Sequence, residues 1–435
     1  MITQCIYKQY VKRIAALFAA MLLALVLFAG AQKCLAGGTP GGFYVVKTPK
    51  LTIRLSANLT STILVTLPKG AVVQLLSVQG SYYKVAAPKG VVGYCPALSI
   101  VRAPVSLSAN AARMVAMDWP SRFINTGVPY TYQACMQDMA EIDAYYANAR
   151  VVTIGSSVWG NPIKALVLGR ASARRKILIH GAIHAREIMT AQLTLRQAEN
   201  LLEAAAQGAV FNGMKVADIL DNVEIWVVPF TNPDGARLLR EGTKAVPAGA
   251  SVTAAALLAM NGGNPNFTQW KANGRGVDLN RNFDGNWALD PKYPKAGREG
   301  YAGSQPFSEP ESVALRNLTT TMNFAYTVSY HASGEMLYWY NPYSSALNSK
   351  DRSLAYQINL LSGYVLLPTA EQVPNGGYRD WINLRMTQPA FTIEVGNMSC
   401  PLPQSQFSNI WLKNRHVVLR LAGTLFPSSL IGQIK

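Results

Sequence analysis

The 435-residue sequence predicts a small all-β barrel followed by a larger α/β domain. Residues 42–103 consist of short runs rich in Val, Ile, Leu and Tyr, which Gly, Pro, Lys and Ser interrupt at close intervals. That spacing is typical of a small barrel. From residue 128 onward, strand-like apolar runs alternate with helical patterns. This alternation predicts a layered α/β domain of about 300 residues.

The composition excludes two broad classes of protein. Hydrophobic residues make up 49% of the chain and charged residues 14%, so the chain can build a large core and is not a disordered protein. Only the apolar run Ile14–Ala31 is long enough to consider as a bilayer span, which excludes a polytopic membrane protein.

The first 36 residues have the pattern of a secretory signal peptide. Three basic residues precede the run Ile14–Ala31, and Ala29-Gly30-Ala31 offers a small-residue cleavage site. The alternative is an uncleaved membrane anchor. Both interpretations export everything after residue 36, because the positive flank stays inside. We therefore expect an extracytoplasmic protein, either secreted or associated with the cell envelope.

The positive charge is concentrated at the start of the chain. The net charge is +17, and residues 1–117 hold 12 Lys and Arg and no acidic residue before Asp118. Such a basic excess indicates a polyanionic partner, for example nucleic acid, anionic lipid or an anionic cell wall. Export argues against nucleic acid. We interpret the +8 of residues 37–117 as electrostatic docking to an anionic cell wall.

Six short strands are expected in residues 42–103. They are Phe43–Val46, Leu51–Leu55, Ile63–Leu67, Val72–Val78, Tyr82–Ala86 and Val91–Tyr94. Leu51-Thr-Ile-Arg54, Leu67-Pro-Lys-Gly70, Tyr82-Tyr-Lys-Val85 and Gly93-Tyr94 resemble the bacterial SH3-like domain, which implies binding of cell-wall peptides. The alternative is a packing or spacer domain without a ligand. Residues 104–127, with Ala, Ser and Pro and no clear period, are expected to form a linker.

Two helices and five strands are expected in the α/β domain. The helices are Met136–Ala149 and Thr190–Ala206, and the strands are Ala165–Leu168, Lys176–His180, Val223–Val228, Ala325–Tyr330 and Ala390–Val395. Two candidate metal ligands follow the second of these strands. His184 and Glu187 are three residues apart, so both side chains can face one point. An imidazole with a carboxylate is a zinc-type ligand pair, but it needs a third ligand. His331 ends another strand-like run, and strands that end at one edge of a sheet can bring such residues together.

The pattern His184-x-x-Glu187 with a distant His331 resembles the zinc carboxypeptidase family of the carboxypeptidase A type. Four further blocks stand in the order of that family. They are Asn232-Pro-Asp-Gly235, Gly276-Val-Asp-Leu-Asn280-Arg281-Asn-Phe283, Ser308-Glu-Pro-Glu311 and Thr392-Ile-Glu394-Val-Gly396. The resemblance runs from about Tyr130 to about Leu421. It implies a mixed sheet with helices on both faces, and we assign residues 128–428 to this domain.

The resemblance also implies a role for each motif residue. His184, Glu187 and His331 would hold one Zn²⁺ and leave one position open for water. Glu394 matches the general base. Three residues match groups that hold a substrate carboxylate, a task that suits the paired donors of arginine. They are Asn280, Arg281 and Arg186, and a solvated surface position is the alternative for Arg186.

The sequence departs from the family at two positions. Where the family has an oxyanion-stabilising arginine just after a tryptophan, this chain has Trp270-Lys271-Ala-Asn-Gly-Arg275, so either Lys271 or Arg275 would supply the charge. Gln372 stands at the position of the family's mobile tyrosine, and Tyr378 follows six residues later. The absence of a tyrosine at position 372 weighs against conventional carboxypeptidase behaviour.

The substrate prediction depends on Arg379. This residue aligns with the floor of the pocket for the leaving residue, and a basic side chain there would select an acidic group. The alternative is that Arg379 pairs with a nearby carboxylate. Ser329–Trp339 and Trp270-Lys-Ala-Asn resemble the bacterial subgroup that cleaves γ-D-glutamyl–diaminopimelate bonds.

The function that we infer from the sequence is that of an exported zinc metallopeptidase acting on peptidoglycan stem peptides. The alternatives are a conventional metallocarboxypeptidase that removes C-terminal residues from proteins or peptides, and a non-catalytic cell-wall-binding protein. The oligomeric state is left open.

Overall fold

A computed structural model describes residues 43–68, 71–87, 91–102, 118–386 and 388–426. The chain divides into two compact units, residues 1–112 and 113–435, and each is described by itself. The predicted signal segment and residues 104–117 of the predicted linker lie outside the described residues. In the part of the chain that is described, no helix is both long and apolar enough to cross a membrane.

The smaller unit contains one antiparallel sheet of seven strands. The strands are β1 (Phe43–Val46), β2 (Lys50–Arg54), β3 (Ile63–Pro68), β4 (Val72–Gln79), β5 (Tyr82–Ala86), β6 (Val92–Pro96) and β7 (Ile100–Arg102). Their order in the sheet is β3-β2-β6-β5-β4-β1-β7. Leu51 and Ile53 of β2 point inward while their neighbours do not, as the period of two in a strand requires. The expectation of a small all-β unit is confirmed, and its resemblance to the SH3-like family stays a prediction.

A mixed sheet of eight strands forms the centre of the larger unit. These strands are β8 (Ala149–Ser156), β9 (Pro162–Leu168), β10 (Arg175–His180), β13 (Val223–Val228), β14 (Tyr326–Ala332), β15 (Met336–Tyr338), β16 (Val365–Leu366) and β17 (Ala390–Val395). The order is β16-β15-β17-β14-β10-β13-β9-β8, and β13, β10, β14 and β17 run parallel to their neighbours in that series. A separate hairpin joins β11 (Val210–Phe211) to β12 (Met214–Lys215).

Helices cover both faces of the eight-stranded sheet. They are α1 (Tyr132–Tyr145), α2 (Ile188–Ala206), α3 (Val216–Asn222), α4 (Pro233–Glu241), α5 (Ala254–Met260), α6 (Pro310–Met322), α7 (Ser345–Ser362), α8 (Tyr378–Trp381), α9 (Phe407–Asn414) and α10 (Val417–Leu425). In β13, Ile225 and Val227 join the core that contains α2, whereas Trp226 and Val228 join the core that contains α6 and α8. A strand buried on both sides reads as a continuous apolar run. The predicted mixed sheet with helices on both faces is confirmed.

The first helix of the larger unit differs from the sequence prediction at both ends. The first helix begins at Tyr132 rather than at residue 136, because the Thr131 hydroxyl accepts a hydrogen bond from the backbone N–H of Ala134 and caps the helix. Ala149, predicted as the helix end, instead begins β8. Residues 118–127 of the predicted linker are part of the larger unit, where Glu199 of α2 accepts from the backbone N–H groups of Arg122 and Phe123.

Candidate metal centre

Three parallel strands bring the predicted site residues to one edge of the sheet. His180 ends β10 and pairs in register with Ser329 of β14. His331 of β14 pairs in register with Glu394 of β17. Because the carboxyl ends of parallel strands meet at the same edge, this is where such folds place their sites. The expectation that separate strands would bring His331 to the other ligands is confirmed.

A tight turn after β10 presents His184 and Glu187. The Thr190 hydroxyl accepts from the Ala182 N–H and donates to the Glu187 carbonyl, at 2.7 and 2.8 Å. A Cβ at Gly181 would lie 2.9 Å from the backbone of Thr190, so only glycine lets the turn approach the start of α2 this closely. The turn therefore holds both side chains on the same side.

His184, Glu187 and His331 form a buried group whose donor atoms suit zinc. His184 Nδ1 lies 2.8 Å from Glu187 Oε1. His331 Nδ1 lies 3.1 Å from His184 Nδ1 and 3.1 Å from Glu187 Oε2. Ligands on a tetrahedral zinc lie about 3.4 Å apart when each is about 2.1 Å from the ion. Two imidazoles with one carboxylate are a catalytic zinc donor set. The residues present therefore fit the metal.

The electrostatics of the group keep Glu187 ionised. Burial alone would raise the pKa of this carboxyl, but His184 and His331 lower it, and the net pKa lies below the usual value. Burial lowers the pKa of His331, against the opposing effect of Glu187. A negative carboxylate and a neutral imidazole are the forms that bind a metal.

Asp278 orients His184 from behind, a role that the sequence reasoning did not assign. Its Oδ1 lies 3.1 Å from His184 Nε2, the ring nitrogen that faces away from the other ligands. Burial would raise the pKa of Asp278, but Lys271 and His184 hold it well below its usual value. Carboxylates that bind the second nitrogen of a ligand histidine fix the ring and its tautomer. The sequence did contain a signal for this role, because Asp278 lies inside the family block Gly276–Phe283.

Lys271 reaches the metal centre, and Arg275 is bonded elsewhere. Lys271 Nζ lies 3.4 Å from Asp278 Oδ2, and its side chain is 17% exposed. Arg275 is 39% exposed and pairs with Glu309 at 3.5 Å. The sequence left open whether Lys271 or Arg275 supplies the charge for the oxyanion. The geometry favours Lys271, because of the two only Lys271 places its charge beside the ligands.

Glu394 is partly buried and stands in register with His331. Burial raises the pKa of its carboxyl well above the usual value, Glu187 raises it further, and Lys271 opposes both. A general base needs a pKa near the working pH, and desolvation is the usual way to raise that of a glutamate. In the sheet register Glu394 stands beside His331, and its role as general base stays a prediction.

Three polar side chains are candidates for holding a substrate carboxylate. Arg281 Nη1 donates to the Asn280 carbonyl at 3.0 Å, and among the described residues Arg281 forms no ion pair. Asn280 Oδ1 accepts from the Tyr378 N–H. Arg186 makes long contacts to Glu299 and to a backbone carbonyl, and its buried Nε has no partner within the described part of the chain. Arg186 and Arg281 thus keep donors available.

Arg379 is buried and already bonded to protein groups. Its Nη1 donates to Gln372 Oε1 at 2.9 Å and to the Tyr340 carbonyl at 3.4 Å. Its Nη2 donates to Asp380 Oδ1 at 3.2 Å. These contacts use three of the five N–H donors of the guanidinium. The pairing with a nearby carboxylate, weighed as the alternative from the sequence, is therefore present, and two donors are left.

No tyrosine occupies the position of the family's mobile residue. Gln372 is buried and accepts from the N–H groups of Trp339 and Tyr340. Tyr378 is also buried, with its hydroxyl bonded to Thr319. Tyr338 is a tyrosine that the sequence reasoning passed over. Its ring lies 5.4 Å from the Arg379 guanidinium, and Glu394 is among the charges that raise its pKa, after burial.

The fold and this site define a metallopeptidase with one zinc-type centre. The sequence profile of the zinc carboxypeptidase family matches residues 135–417, which is more than half of the chain. The chain is 30% identical over 294 residues to a γ-D-glutamyl-L-diamino acid endopeptidase of Lysinibacillus sphaericus, covering 67% of this chain and 71% of that one. It is 27% identical over 229 residues to a metallocarboxypeptidase A of Trichophyton tonsurans, covering 51% and 49%.

Solved structures agree on the fold. A structure of bovine thrombin-activatable fibrinolysis inhibitor superimposes with a TM-score of 0.54 at 18% identity, covering 69% of this chain and 98% of that one. The chain belongs to the zinc carboxypeptidase family, and it is an enzyme that uses one zinc ion, for which His184, Glu187 and His331 are positioned.

Proposed function

We propose that this protein is an exported peptidase that hydrolyses peptidoglycan stem peptides at the bond between γ-D-glutamate and meso-diaminopimelate. The observation that carries the proposal is the buried group His184, Glu187 and His331 with Glu394 opposite, in a chain 30% identical to a γ-D-glutamyl-L-diamino acid endopeptidase. The site supplies the chemistry, and the relative supplies the class of bond.

The side chains divide the work of hydrolysis. Zinc, when bound by His184, Glu187 and His331, polarises the scissile carbonyl and acidifies water. Glu394 accepts a proton from the attacking water on a carboxylate oxygen and returns it to the nitrogen of the leaving diamino acid. Lys271 places a positive charge where the carbonyl oxygen becomes negative.

The remaining candidates position the substrate. Arg281, Asn280 and Arg186 hold the main-chain carboxylate of the leaving residue, for which arginine offers two parallel donors. Arg379 binds the carboxylate at the far end of the diaminopimelate side chain through its two remaining donors. Gln372 and Asp380 fix the guanidinium for that contact.

Digestion of a defined muropeptide tests the proposal. The substrate is L-Ala-γ-D-Glu-meso-diaminopimelate, the protein is used metal-depleted and zinc-restored, and products are identified by mass. We expect L-Ala-γ-D-Glu and free diaminopimelate with zinc only. Glu394→Gln should lower turnover by about 10²- to 10⁴-fold at unchanged zinc content, because the proton acceptor is lost.

The same experiment decides between the proposal and its rivals. Release of terminal amino acids from ordinary peptides, with muropeptides left intact, would identify a conventional metallocarboxypeptidase. The buried Gln372 in place of a mobile tyrosine counts against that outcome. Turnover that is the same in Glu394→Gln as in the unaltered protein would contradict the assigned mechanism, and no turnover of any muropeptide would contradict the proposed substrate.

We further propose that residues 37–117, through an SH3-like module, dock the enzyme on an anionic cell wall. The support is the +8 charge of this segment, which contains no acidic residue. Exposed charges are screened within about 10 Å at 0.1 M salt. The bound fraction of the full protein on purified walls should therefore fall several-fold between about 0.05 and 0.5 M NaCl. Binding that does not weaken with salt would contradict electrostatic docking.

A further inference from the structure

A cavity of about 340 Å³ lies at the edge of the eight-stranded sheet opposite the metal centre. Arg175, the first residue of β10, lines it, as does Pro389, which directly precedes β17. The strand β10 runs from Arg175 to His180 at the edge that carries the metal centre. Five steps along a strand span about 16 Å. A small molecule in this cavity is therefore remote from the metal ligands.

Four basic side chains line this cavity, and no acidic side chain is among its lining residues. The four are Arg174, Arg175, Lys176 and Lys350. Glu224 compensates Lys176, whose Nζ lies 2.8 Å from the carboxylate. Within the described part of the chain, the other three basic residues form no ion pair. Their positive charges are therefore uncompensated, and like charges close together repel one another.

Contacts with the protein hold two of these three side chains in place. The Arg175 guanidinium donates one hydrogen bond to the Leu425 carbonyl, which leaves four of its five N–H donors. Lys350 Nζ lies 5.3 Å from the centre of the buried Tyr326 ring, at the start of β14. Arg174 is exposed. Side chains that are already ordered lose less conformational entropy when a ligand binds.

The ends of two helices adjoin the cavity but do not decide its charge. Leu347 in the first turn of α7 and Asn323 at the end of α6 both line it. The N-terminus of a helix carries a partial positive charge and the C-terminus a partial negative charge, each of roughly half an elementary charge. These two contributions oppose each other, so the basic side chains make the potential in the cavity positive.

We propose that this cavity binds a phosphate group through Arg174, Arg175 and Lys350. A phosphate monoester carries about 1.5 to 2 negative charges at pH 7 and three strong acceptor oxygens. It therefore compensates several cations better than a single carboxylate does. Arginine forms paired hydrogen bonds to phosphate, and lysine adds a point charge. The volume lies at the lower end of the range for small-ligand sites, about 300 to 1,000 Å³.

A phosphate group bound here has a consequence for the larger unit. Because the cavity lies at the opposite edge of the sheet, the ligand anchors this unit without occupying the substrate site. This anchor is separate from the basic segment 37–117, and it does not depend on the proposed function. The phosphate group has two sources, a small soluble phosphate or a polymer linked by phosphodiesters.

Calorimetric titration of the full chain with inorganic pyrophosphate tests the site. The double variant Arg174→Gln with Lys350→Gln removes two of the three charges, and its Kd should rise at least about tenfold, because hydrogen bonds to charged groups are strong. The matched control is Lys215→Gln with Arg352→Gln, which changes the net charge equally at exposed positions outside the cavity. Its Kd should stay within about twofold of that of the unaltered protein, since exposed distant charges are screened.

Three results would overturn the proposal. They are no binding of pyrophosphate by the unaltered protein, an unchanged Kd in the cavity variant, and equal weakening in both double variants, which would show a response to net charge alone. The midpoint of urea unfolding should be the same in all proteins. If the cavity variant does not fold, Arg174→Gln alone gives the same test at an exposed position, with a Kd expected to rise about threefold or more. An unchanged Kd in this single variant would reject the site.

A second titration, with poly(glycerol phosphate), distinguishes the two sources. Binding that is tighter per phosphate group than that of pyrophosphate, and is weakened in the cavity variant, would assign the cavity to a phosphodiester polymer. Binding of pyrophosphate alone, again weakened in the cavity variant, would assign it to small soluble phosphates. If the cavity variant binds both ligands as tightly as the unaltered protein does, the cavity is not a phosphate site.

Discussion

Residues 270–282 contribute to two buried charged clusters that balance charge in different ways. In the metal centre, Asp278 is bonded to Lys271 and to His184, and its pKa is held well below the usual value. The second cluster, here called the acidic cluster, consists of Asp234, Glu309 and Glu311. Burial raises the pKa of Glu311 to about 8, and the nearby Asp234 adds to the shift.

The difference lies in what compensates each carboxylate. Cations stand next to Asp278, so it stays ionised and can orient a metal ligand. In the acidic cluster the bonded cation is the half-exposed Arg275, while the Asn273 amide donates to both Glu309 and Glu311. A proton must then supply the missing positive charge on Glu311. We therefore interpret the metal centre as the reactive cluster and the acidic cluster as a structural one that connects loops.

Among the tests of this comparison, the largest expected effect separates Lys271 from Arg275. Lys271→Met should lower kcat by about 10²- to 10³-fold, with little change in KM, because a charge that acts mainly in the transition state is lost. Arg275→Met should change kcat by less than about threefold, since its charge pairs with Glu309 instead. Steady-state kinetics on the diaminopimelate substrate measures both.

Two controls accompany this pair. Zinc content measured by metal analysis should be equal in all variants, and Lys271→Arg should recover part of the lost rate by restoring the charge. An effect of Arg275→Met as large as that of Lys271→Met would show that the comparison between the two clusters is mistaken.

The sequence could identify this segment but could not choose between its two basic residues. Lys271 and Arg275 are four positions apart on a stretch without regular secondary structure, so no periodicity gives their directions. The choice is made by contacts from distant parts of the chain. Asn232 of the Asn-Pro-Asp-Gly block donates to the Ala272 carbonyl at 3.0 Å, and Glu309 forms an ion pair with Arg275.

The metal ligands, by contrast, could be predicted because their positions depend on local patterns. His184 and Glu187 depend on a local turn, and His331 ends a strand, so a local pattern is enough to place each of them. The strands β13 and β17 were likewise predicted to the residue, because strands buried on both faces consist mainly of apolar residues.

The pairing of Arg379 was foreseen only as an alternative. Its partners Gln372 and Asp380 are seven positions before it and one after it, and Asp380 also accepts from the Gly377 N–H at the start of α8. Sequence alignment gives the position of such a residue in a pocket but not how many of its donors are free. That number depends on the packing of the loop.

The smallest expected effect concerns the acidic cluster and stability. The folded pKa of Glu311, about 8, lies above the usual 4.5, so between these values the folded chain holds a proton that the unfolded chain has released. Stability from this group is complete below about pH 4.5 and is lost as the pH rises toward about 8. The glutamine in Glu311→Gln cannot ionise, so the free energy of unfolding of the variant should not fall in this way as the pH rises.

Urea unfolding at pH 5.5 and 8.5 measures the effect. All eight tryptophans follow residue 112, so their fluorescence reports the larger unit. When the pH is raised from 5.5 to 8.5, the free energy of unfolding of Glu311→Gln should increase relative to that of the unaltered protein by on the order of 1–3 kcal/mol. Groups that titrate equally in both proteins cancel in this difference. A gain near zero would mean that Glu311 is ionised in the folded protein, and that Asn273 and Arg275 compensate it as fully as Lys271 and His184 compensate Asp278.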